Sequence, residues 1–484
     1  MNFRPLALAA SLLLPVAAQA DVRLPEALGD HMVLQQDSEV TLWGWACAGE
    51  RVEIETSWGV KCQVLGDAQG QWRVKVKTPH ATPLDKGLHP EHISFTVPNE
   101  NMVQINDILI GEVWLCSGQS NMTMMLRPGF PRGWCAWYGE AFWASEESRH
   151  ADRPGLRLIN LENAAALVPQ ADFKSALPAH SMLPRNDKGE TQPVRRGWQT
   201  CNATTAPDFS AVGYYYGAAL SEKLNVPVGL VTASVGGTGI ESWMSSGTPP
   251  TQPGRLAPQV YFNGMIAPLT PMTLRGCVWY QGESNVGNPH YGEMFQTLIA
   301  DWRRAFGQPK MPFYFVQIAH CHRQGSAGAE LREAQAAALQ VPHTGMALSY
   351  DVSDPNNIHP ANKRDIGRRL AAQALRKTYG CQDVVADGPV LHGASLQDGK
   401  IHVAFDELGG GLSTRDGKAP SCFETADAKG DFAPATATIL GDEVLVTPAS
   451  PGATRLRFGW TEAVQANLIS KNGLPARAFE TTVK

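Results

Sequence analysis

The stretch that decides the fold is Ile108-Leu-Ile-Gly-Glu-Val-Trp-Leu-Cys-Ser-Gly-Gln-Ser-Asn-Met. Residues 108–116 form a nearly continuous apolar run, which is typical of a parallel strand covered on both faces. The run leads directly into a loop that contains Ser120, so a serine follows the end of a strand next to a glycine. A nucleophile lies exposed at such a position, close to helix-terminal N–H groups that can stabilise an oxyanion. The alternative interpretation is an ordinary turn in which a serine caps a helix.

Two further apolar runs lead into loops with unusual composition. The run 228–233 is followed by Gly236 and Gly237, and paired glycines let backbone N–H groups approach a ligand closely. No phosphate-binding glycine motif is present in this loop, and a plain tight turn is the alternative. The run 276–280 is followed by Gln281 and Glu283, where an amide side chain could donate to an oxyanion. A loop held together by its own hydrogen bonds is the alternative for Glu283.

A fourth loop carries the candidate general base. His359 follows the apolar run 345–350 and precedes a helix opened by Pro360, a residue that suits the first helical turn. An imidazole with a pKa near ~6.5 can take a proton from a serine hydroxyl at neutral pH. Because sites in such sheets lie beyond the carboxyl ends of the strands, the four loops should meet at one edge. Together they point to a serine-dependent reaction far more specifically than any one loop does.

The pattern of apolar residues divides the chain into three zones. The length of 484 residues suggests about three domains at roughly 150 residues each. Residues 21–106 alternate apolar and polar positions between turns and predict a small β-sandwich. Residues 107–380 alternate strands with helices and predict a doubly wound α/β domain with a parallel sheet, interrupted by an irregular insertion at about 127–196. Residues 381–484 predict a further β-sandwich-type module.

The first twenty residues have the composition of a signal peptide. Arg4 precedes an apolar run over 6–18, and Ala18-Gln-Ala fits the small-x-small cleavage rule before Asp21. A membrane anchor is the alternative, but the run is shorter than the ~20 residues that cross a bilayer. We therefore expect an exported protein, periplasmic or secreted, without a membrane span. Export to an oxidising compartment permits disulfides, and nine cysteines leave at least one thiol unpaired within the chain.

Charge and composition exclude several classes of partner. The chain has 41 Lys and Arg against 46 Asp and Glu, a net charge of −5 without long runs, so nothing predicts nucleic-acid or anionic-membrane binding. His320 and His322 follow a strand end and could line the pocket. No cysteine or carboxylate spacing around them supports a zinc site, and we expect no metal and no cofactor. The oligomeric state is not readable from the sequence.

The four loops resemble those of the SGNH hydrolases, and most closely those of the sialate O-acetylesterase family. The resemblance rests on four blocks: Gly111-Glu-Val-Trp-Leu-Cys-Ser-Gly-Gln-Ser-Asn-Met, Gly236-Gly-Thr-Gly-Ile-Glu-Ser-Trp, Trp279-Tyr-Gln-Gly-Glu-Ser-Asn and Ile358-His-Pro-Ala-Asn-Lys. It spans nearly the whole mature chain, because the opening segment Asp30-His-Met-Val-Leu-Gln-Gln and the closing segment Asn467-Leu-Ile also resemble those of the family. It implies an SGNH-hydrolase-like α/β core. It also implies a serine esterase that removes O-acetyl groups from sugars, above all from 9-O-acetylated sialic acid. Acetylated polysaccharides such as acetylxylan are the alternative substrates, and a non-catalytic carbohydrate-binding protein is the alternative class.

The resemblance also assigns roles to residues. It implies that Ser120 is the nucleophile and His359 the base, and that the oxyanion hole consists of the Ser120 amide, an amide at Gly236 or Gly237, and the Gln281 side chain. We predict that Asn121, Glu283 and Trp134 contact the substrate, since a tryptophan can stack on a sugar ring.

The group that orients His359 departs from the superfamily pattern. In that pattern an aspartate lies three residues before the histidine, where this chain has Asn356. Asp354, five residues before, is the favoured third member, with Asp351 and Glu283 as further candidates. A neutral or backbone acceptor, which would leave a Ser–His dyad, is the other possibility.

Overall fold

The computed structural model describes residues 22–98, 102–126, 146–173, 197–245, 257–428, 430–460 and 466–484. The signal peptide predicted over residues 1–20 lies outside this range, and its cleavage stays a prediction. In the described part, no helix is long and apolar enough to cross a membrane.

The amino-terminal region consists of short strands, all in antiparallel pairs except the first, which pairs in parallel with the strand that follows this region. They are β1 (Val33–Gln35), β2 (Glu39–Trp45), β3 (Arg51–Thr56), β4 (Lys61–Leu65), β5 (Gln71–Lys77) and β6 (Glu91–Thr96). β2 pairs with β5, and β3 lies between β4 and β6. The strict alternation of exposed and buried positions along β3 is that of a strand with one face on a core. The β character expected for this region is confirmed.

One long strand joins this region to the centre of the molecule. β7 (Val103–Gly118) is antiparallel to β6 in its first half and parallel to its neighbours in its second half. The predicted boundary between residues 106 and 107 therefore lies inside a continuous strand. The division of the chain into three domains stays a prediction.

The central sheet has the strand order β13-β12-β11-β7-β10-β8-β9. Its members after β7 are β8 (Arg153–Asn160), β9 (Gln199–Cys201), β10 (Val228–Ser234), β11 (Gly276–Tyr280), β12 (Phe313–Val316) and β13 (Thr344–Ala347). All six strands from β13 to β8 run parallel, and the edge strand β9 is antiparallel to β8. β8 lies within the stretch that the sequence predicted as an irregular insertion.

Helices cover both faces of this sheet. The described α-helices are α1 (Ser120–Thr123), α2 (Ala211–Leu224), α3 (Tyr291–Ala305), α4 (Gly325–Ala337) and α5 (Lys363–Lys377). Along β7, Trp114 and Cys116 belong to the buried cluster that contains the apolar residues of α2 and α5. The alternate residues Val113 and Leu115 belong to the cluster that contains those of α3 and α4. Because successive residues of a strand point to opposite faces, the sheet is covered on both sides, which confirms a mixed α/β fold.

The carboxyl-terminal region is an antiparallel β structure. Its strands are β14 (Val390–Gln397), β15 (Lys400–Asp406), β16 (Leu412–Thr414), β17 (Phe423–Ala426), β18 (Ala433–Leu440), β19 (Glu443–Thr447), β20 (Arg455–Phe458), β21 (Leu468–Ser470) and β22 (Phe479–Thr482). Seven of them form one sheet in the order β14-β15-β19-β18-β17-β20-β22. Backbone hydrogen bonds join Lys484 to Ala394 and to Leu396, so the two ends of the sheet approach each other. The region is therefore a near-barrel rather than the expected sandwich.

Candidate active site

The predicted loops meet because the carboxyl ends of their strands are aligned in the sheet. Gly118 at the end of β7 is paired with Ser234 at the end of β10 and with Tyr280 at the end of β11. Neighbouring strands lie about 4.8 Å apart, so the residues that follow these three ends are close neighbours. The sheet thus gathers the serine, glycine and glutamine loops at one edge, as the sequence predicted.

Gly118 allows the chain to turn from β7 into the serine loop. Its φ of +138° lies in a region that favours glycine, and a Cβ at this position would lie 2.1 Å from the carbonyl oxygen of Tyr280. Helix α1 begins two residues later, with Ser120 as its first residue. The serine hydroxyl therefore lies at a helix N-terminus directly above the end of a central strand.

Ser120 and His359 form a hydrogen-bonded pair. The Oγ of Ser120 lies 2.9 Å from the Nε2 of His359, within the range that proton transfer needs. His359 is buried and Ser120 is half-buried. Burial, and then the positive charge of Lys363, lowers the pKa of His359 to about 4. The imidazole is therefore neutral at physiological pH, and its Nε2 can accept the hydroxyl proton.

The loop before His359 is held by its own asparagines. The side-chain oxygen of Asn357 accepts a hydrogen bond from the backbone N–H of His359 at 2.9 Å. The side-chain oxygen of Asp354 accepts from the backbone and the side-chain amides of Asn356, at 2.9 and 3.0 Å. The structure thus brings Ser120 and His359 together but directs the Asp354 carboxylate to Asn356.

The two further candidates for the third member also have other partners. Asp351 forms a bidentate ion pair with Arg369 at 2.6 and 2.7 Å. Glu283 accepts a hydrogen bond from the Asn121 side chain at 2.5 Å. Each of these carboxylates therefore has a partner other than His359.

Gly236 and Gly237 form the turn that follows β10. Gly237 has a φ of +74° and is exposed, with open space where a Cβ would lie. The turn is fixed by Thr238, whose hydroxyl donates to the carbonyl of Val235 at 2.8 Å and accepts from the indole of Trp243 at 2.9 Å. Backbone N–H groups of the turn thus lie at the same edge of the sheet as Ser120.

The Gln281 side chain is fully buried and hydrogen-bonded to residues of its own loop and of the neighbouring one. Its amide donates to the carbonyl of Thr238 at 3.2 Å and to the side-chain oxygen of Asn285 at 2.6 Å. Its side-chain oxygen accepts from the hydroxyl of Tyr291 at 3.0 Å. Both amide hydrogens therefore have protein acceptors, and neither is left to contact an oxyanion, which departs from the predicted role.

Asn121 and Glu283, predicted as substrate contacts, are joined in a hydrogen-bonded network. The Asn121 amide donates to Glu283 and, at 2.9 Å, to the carbonyl oxygen of Ile358, and its oxygen accepts from Lys363 at 2.5 Å. These contacts use the hydrogen-bonding capacity of a fully buried side chain. Burial raises the pKa of Glu283. Glu283 itself is half-buried, and its Oε2 has no hydrogen-bond partner among the described residues, so its contact with substrate stays a prediction.

Trp134 lies outside the described residues, so its predicted stacking on substrate stays a prediction.

Lys363 is the functional candidate that the sequence reasoning missed, although it closes the quoted block Ile358-His-Pro-Ala-Asn-Lys. Lys363 shares one face of α5 with the buried residues Ile366, Leu370 and Ala374. A lysine on the apolar face of an amphipathic helix was the signal that could have identified it.

Comparisons with known proteins show similarity to carbohydrate esterases. A family model described as carbohydrate esterase, sialic acid-specific acetylesterase, matches residues 190–376, a range that contains His359 and Gln281 but not Ser120. The sialate O-acetylesterase of Mus musculus is 28% identical over 80% of this chain and 79% of its own length. The sialate O-acetylesterase of Homo sapiens is also 28% identical, over 78% of this chain and 76% of its own length.

A solved structure extends the similarity over nearly the whole chain. The crystal structure of a carbohydrate acetylesterase from Xanthomonas citri is 32% identical, with a TM-score of 0.82, and the match covers 95% of this chain and 99% of that one. Together with the α/β core and its Ser–His pair, these matches identify the protein as an esterase. It belongs to the sialate O-acetylesterase family of carbohydrate esterases.

Proposed function

We propose that this esterase removes acetyl groups from sugar hydroxyls, with Ser120 as the nucleophile and His359 as the general base. The observation that carries this proposal is the 2.9 Å contact between the Oγ of Ser120 and the Nε2 of His359. The pair lies at the carboxyl edge of a parallel sheet, where α/β enzymes carry their sites. The same arrangement supports the assignment of the core to the SGNH hydrolases.

The proposed reaction has two stages. The Ser120 oxygen attacks the acetyl carbonyl carbon while the Nε2 of His359 takes the hydroxyl proton. The C–O bond to the sugar then breaks, and the imidazolium returns that proton to the sugar oxygen. Water, deprotonated by His359, attacks the acetyl-enzyme, and acetate leaves as the proton returns to Ser120.

The oxyanion of both tetrahedral intermediates needs preorganised N–H donors. The backbone N–H of Ser120, at the start of α1, and an N–H of the Gly236–Gly237 turn are the proposed donors. Gln281 supports this hole indirectly, since it holds the carbonyl of Thr238 beside the turn. The sequence reasoning favours Asp354 as the group that orients the imidazole, whereas its carboxylate accepts hydrogen bonds from Asn356 in the structure, and its replacement tests that role.

For the substrate we propose 9-O-acetylated sialic acid, because the family model and the mammalian relatives carry sialate in their names. The relative from Xanthomonas citri is described more broadly, as a carbohydrate acetylesterase, which keeps acetylated polysaccharides such as acetylxylan as a second candidate. We also propose that the protein is exported after cleavage behind Ala20.

The test is acetate release from a panel of O-acetylated glycans by the wild-type protein and by Ser120→Ala. We expect the wild type to release acetate fastest from O-acetyl sialic acid, and the variant to lose at least about 10³-fold in turnover with its fold intact. Faster release from acetylxylan would move the substrate to the second candidate. Undiminished turnover by Ser120→Ala would overturn the mechanism.

A further inference from the structure

We propose that Lys363 is a positioning residue that acts through Asn121 to hold the loop of His359 against the loop of Ser120. The inference rests on the proposed roles of Ser120 and His359. Neither the resemblance nor the sequence patterns assign a role to this lysine.

The contacts form a continuous chain between the two loops. The Nζ of Lys363 donates to the side-chain oxygen of Asn121 at 2.5 Å, and the Asn121 amide donates to the carbonyl of Ile358 at 2.9 Å. Asn121 directly follows Ser120 in the sequence, and Ile358 directly precedes His359. One amide side chain thus joins the immediate neighbours of both reacting residues, so a shift of this amide changes the distance between them.

The charges around Asn121 determine which way its amide points. An ammonium can only donate a hydrogen bond, so it requires the oxygen of the amide. The second amide hydrogen goes to the Oε1 of Glu283 at 2.5 Å. A cation at the oxygen and a carboxylate at the nitrogen both stabilise this orientation, and bonds to charged groups are about twice as strong as neutral ones.

Packing alone does not account for a lysine at this position. Lys363 is 5% exposed and lies on the face of α5 that also carries Ile366 and Leu370. Moving an ammonium out of water is unfavourable, and an apolar side chain of similar size at such a position is often neutral or stabilising. The presence of a charge at this position therefore agrees with a role in fixing the geometry of the reacting groups. A displacement of such groups by 1 Å can lower the rate about 10²-fold.

The first experiment separates the hydrogen bond from the packing. Lys363→Met keeps the length of the side chain but leaves the Asn121 oxygen without its donor, whereas Lys363→Gln retains a neutral donor. Lys377→Met is the matched control, because Lys377 lies at the other end of the same helix, 3.3 Å from Asp387. For each variant we would measure kcat and KM for acetate release from a small acetyl ester, together with the melting temperature.

We expect Lys363→Met to lower kcat by about 10²-fold at a nearly unchanged KM, Lys363→Gln to recover part of the loss, and Lys377→Met to behave as wild type. A folded Lys363→Met with wild-type kcat, or a variant that only melts earlier, would overturn the inference. If Lys363→Met does not fold, the test compares Lys363→Gln with Lys377→Met. A wild-type kcat in Lys363→Gln, at the same melting temperature as Lys377→Met, would contradict a role for the charged donor.

A double-mutant cycle tests whether the hydrogen bonds from Lys363 through Asn121 act as one unit. If Lys363 acts through Asn121, the combination of Lys363→Met with Asn121→Ala should lose no more kcat than the more damaging single change. Losses that multiply would show that the two residues act independently and would overturn the inference. Ser120→Ala distinguishes the two proposals: an active Ser120→Ala removes the proposed function, whereas an inactive one beside a fully active Lys363→Met removes only the role of the lysine.

Discussion

Ser120 and His359 are 239 positions apart in the sequence, yet their side chains lie within 2.9 Å of each other. The serine follows β7 and the histidine precedes α5, so the parallel sheet and one helix bring them together.

The pH dependence should reflect the burial of His359. Protonation of Nε2 removes the acceptor for the serine proton, so activity falls as pH falls through the pKa of the imidazole. Since burial and Lys363 lower that pKa to about 4, activity should persist well below the ordinary histidine range. Measurement of kcat/KM between about pH 3 and pH 8 should give an acidic limb near 4. A limb near the ordinary value of about 6.5 would contradict a buried base.

Gln281→Ala should act mainly on stability. The change removes the side-chain donor to the carbonyl of Thr238 and one of the two acceptors of the Tyr291 hydroxyl, whose 3.2 Å bond to the backbone carbonyl of residue 281 remains. We expect a loss of about 1–3 kcal/mol in the free energy of unfolding. Denaturant titration measures this loss. A donor to the oxyanion would give the opposite pattern, a loss of about 10²–10³-fold in kcat at unchanged stability.

Gly118→Ala should destabilise the fold strongly. The new Cβ combines an unfavourable φ with a contact 2.1 Å from the Tyr280 carbonyl, so we expect a loss of more than about 3 kcal/mol. Gly287→Ala is the matched control, since Gly287 also has a positive φ, +85°, but open space around it. The control should lose only about 1 kcal/mol. Equal losses in thermal unfolding would show that the close approach has no effect.

Asp354→Asn should change the rate little. A carboxylate that orients a catalytic histidine costs about 10⁴-fold when it is replaced by an amide, whereas a loop contact to Asn356 predicts a loss below about tenfold. Steady-state kcat of the purified variant measures the difference. A loss near the larger value would restore Asp354 as the third member of a triad.

Export should leave a mature chain that begins at Asp21. Expression of the full-length gene and intact-mass measurement of the protein from the extracytoplasmic fraction should show the loss of residues 1–20. Retention of Met1 in that fraction would contradict a cleaved signal peptide.

The sequence predicted the elements whose signals are local. The apolar runs 276–280 and 228–233 correspond to β11 and β10. β8 was missed because Arg153-Pro-Gly carries turn signals, and its strand character comes from pairing with β10, which no local pattern records.

The site was predictable in its residue types but not in its contacts. Ser120 and His359 follow from strand-end position, which the sequence displays. The bracing of Gln281 and the burial of Asn121 depend on partners from other loops, such as Thr238 and Lys363. Hydrogen bonds of this kind are set by tertiary packing, so the residue types alone suggested catalytic or substrate roles that the geometry redirects.

β7 also limits how this protein can be shortened or recombined. The strand that ends beside Ser120 begins at Val103 within the amino-terminal sheet, where it pairs with β6. A cut near residue 106 would therefore divide one strand and expose an unpaired edge of the sheet that carries the nucleophile. The amino-terminal β region is therefore structurally continuous with the central sheet and is not an independent unit that can be replaced by cutting at residue 106. Chimeras with relatives should retain activity only when the crossover lies outside 103–118, so that the whole of β7 comes from one parent.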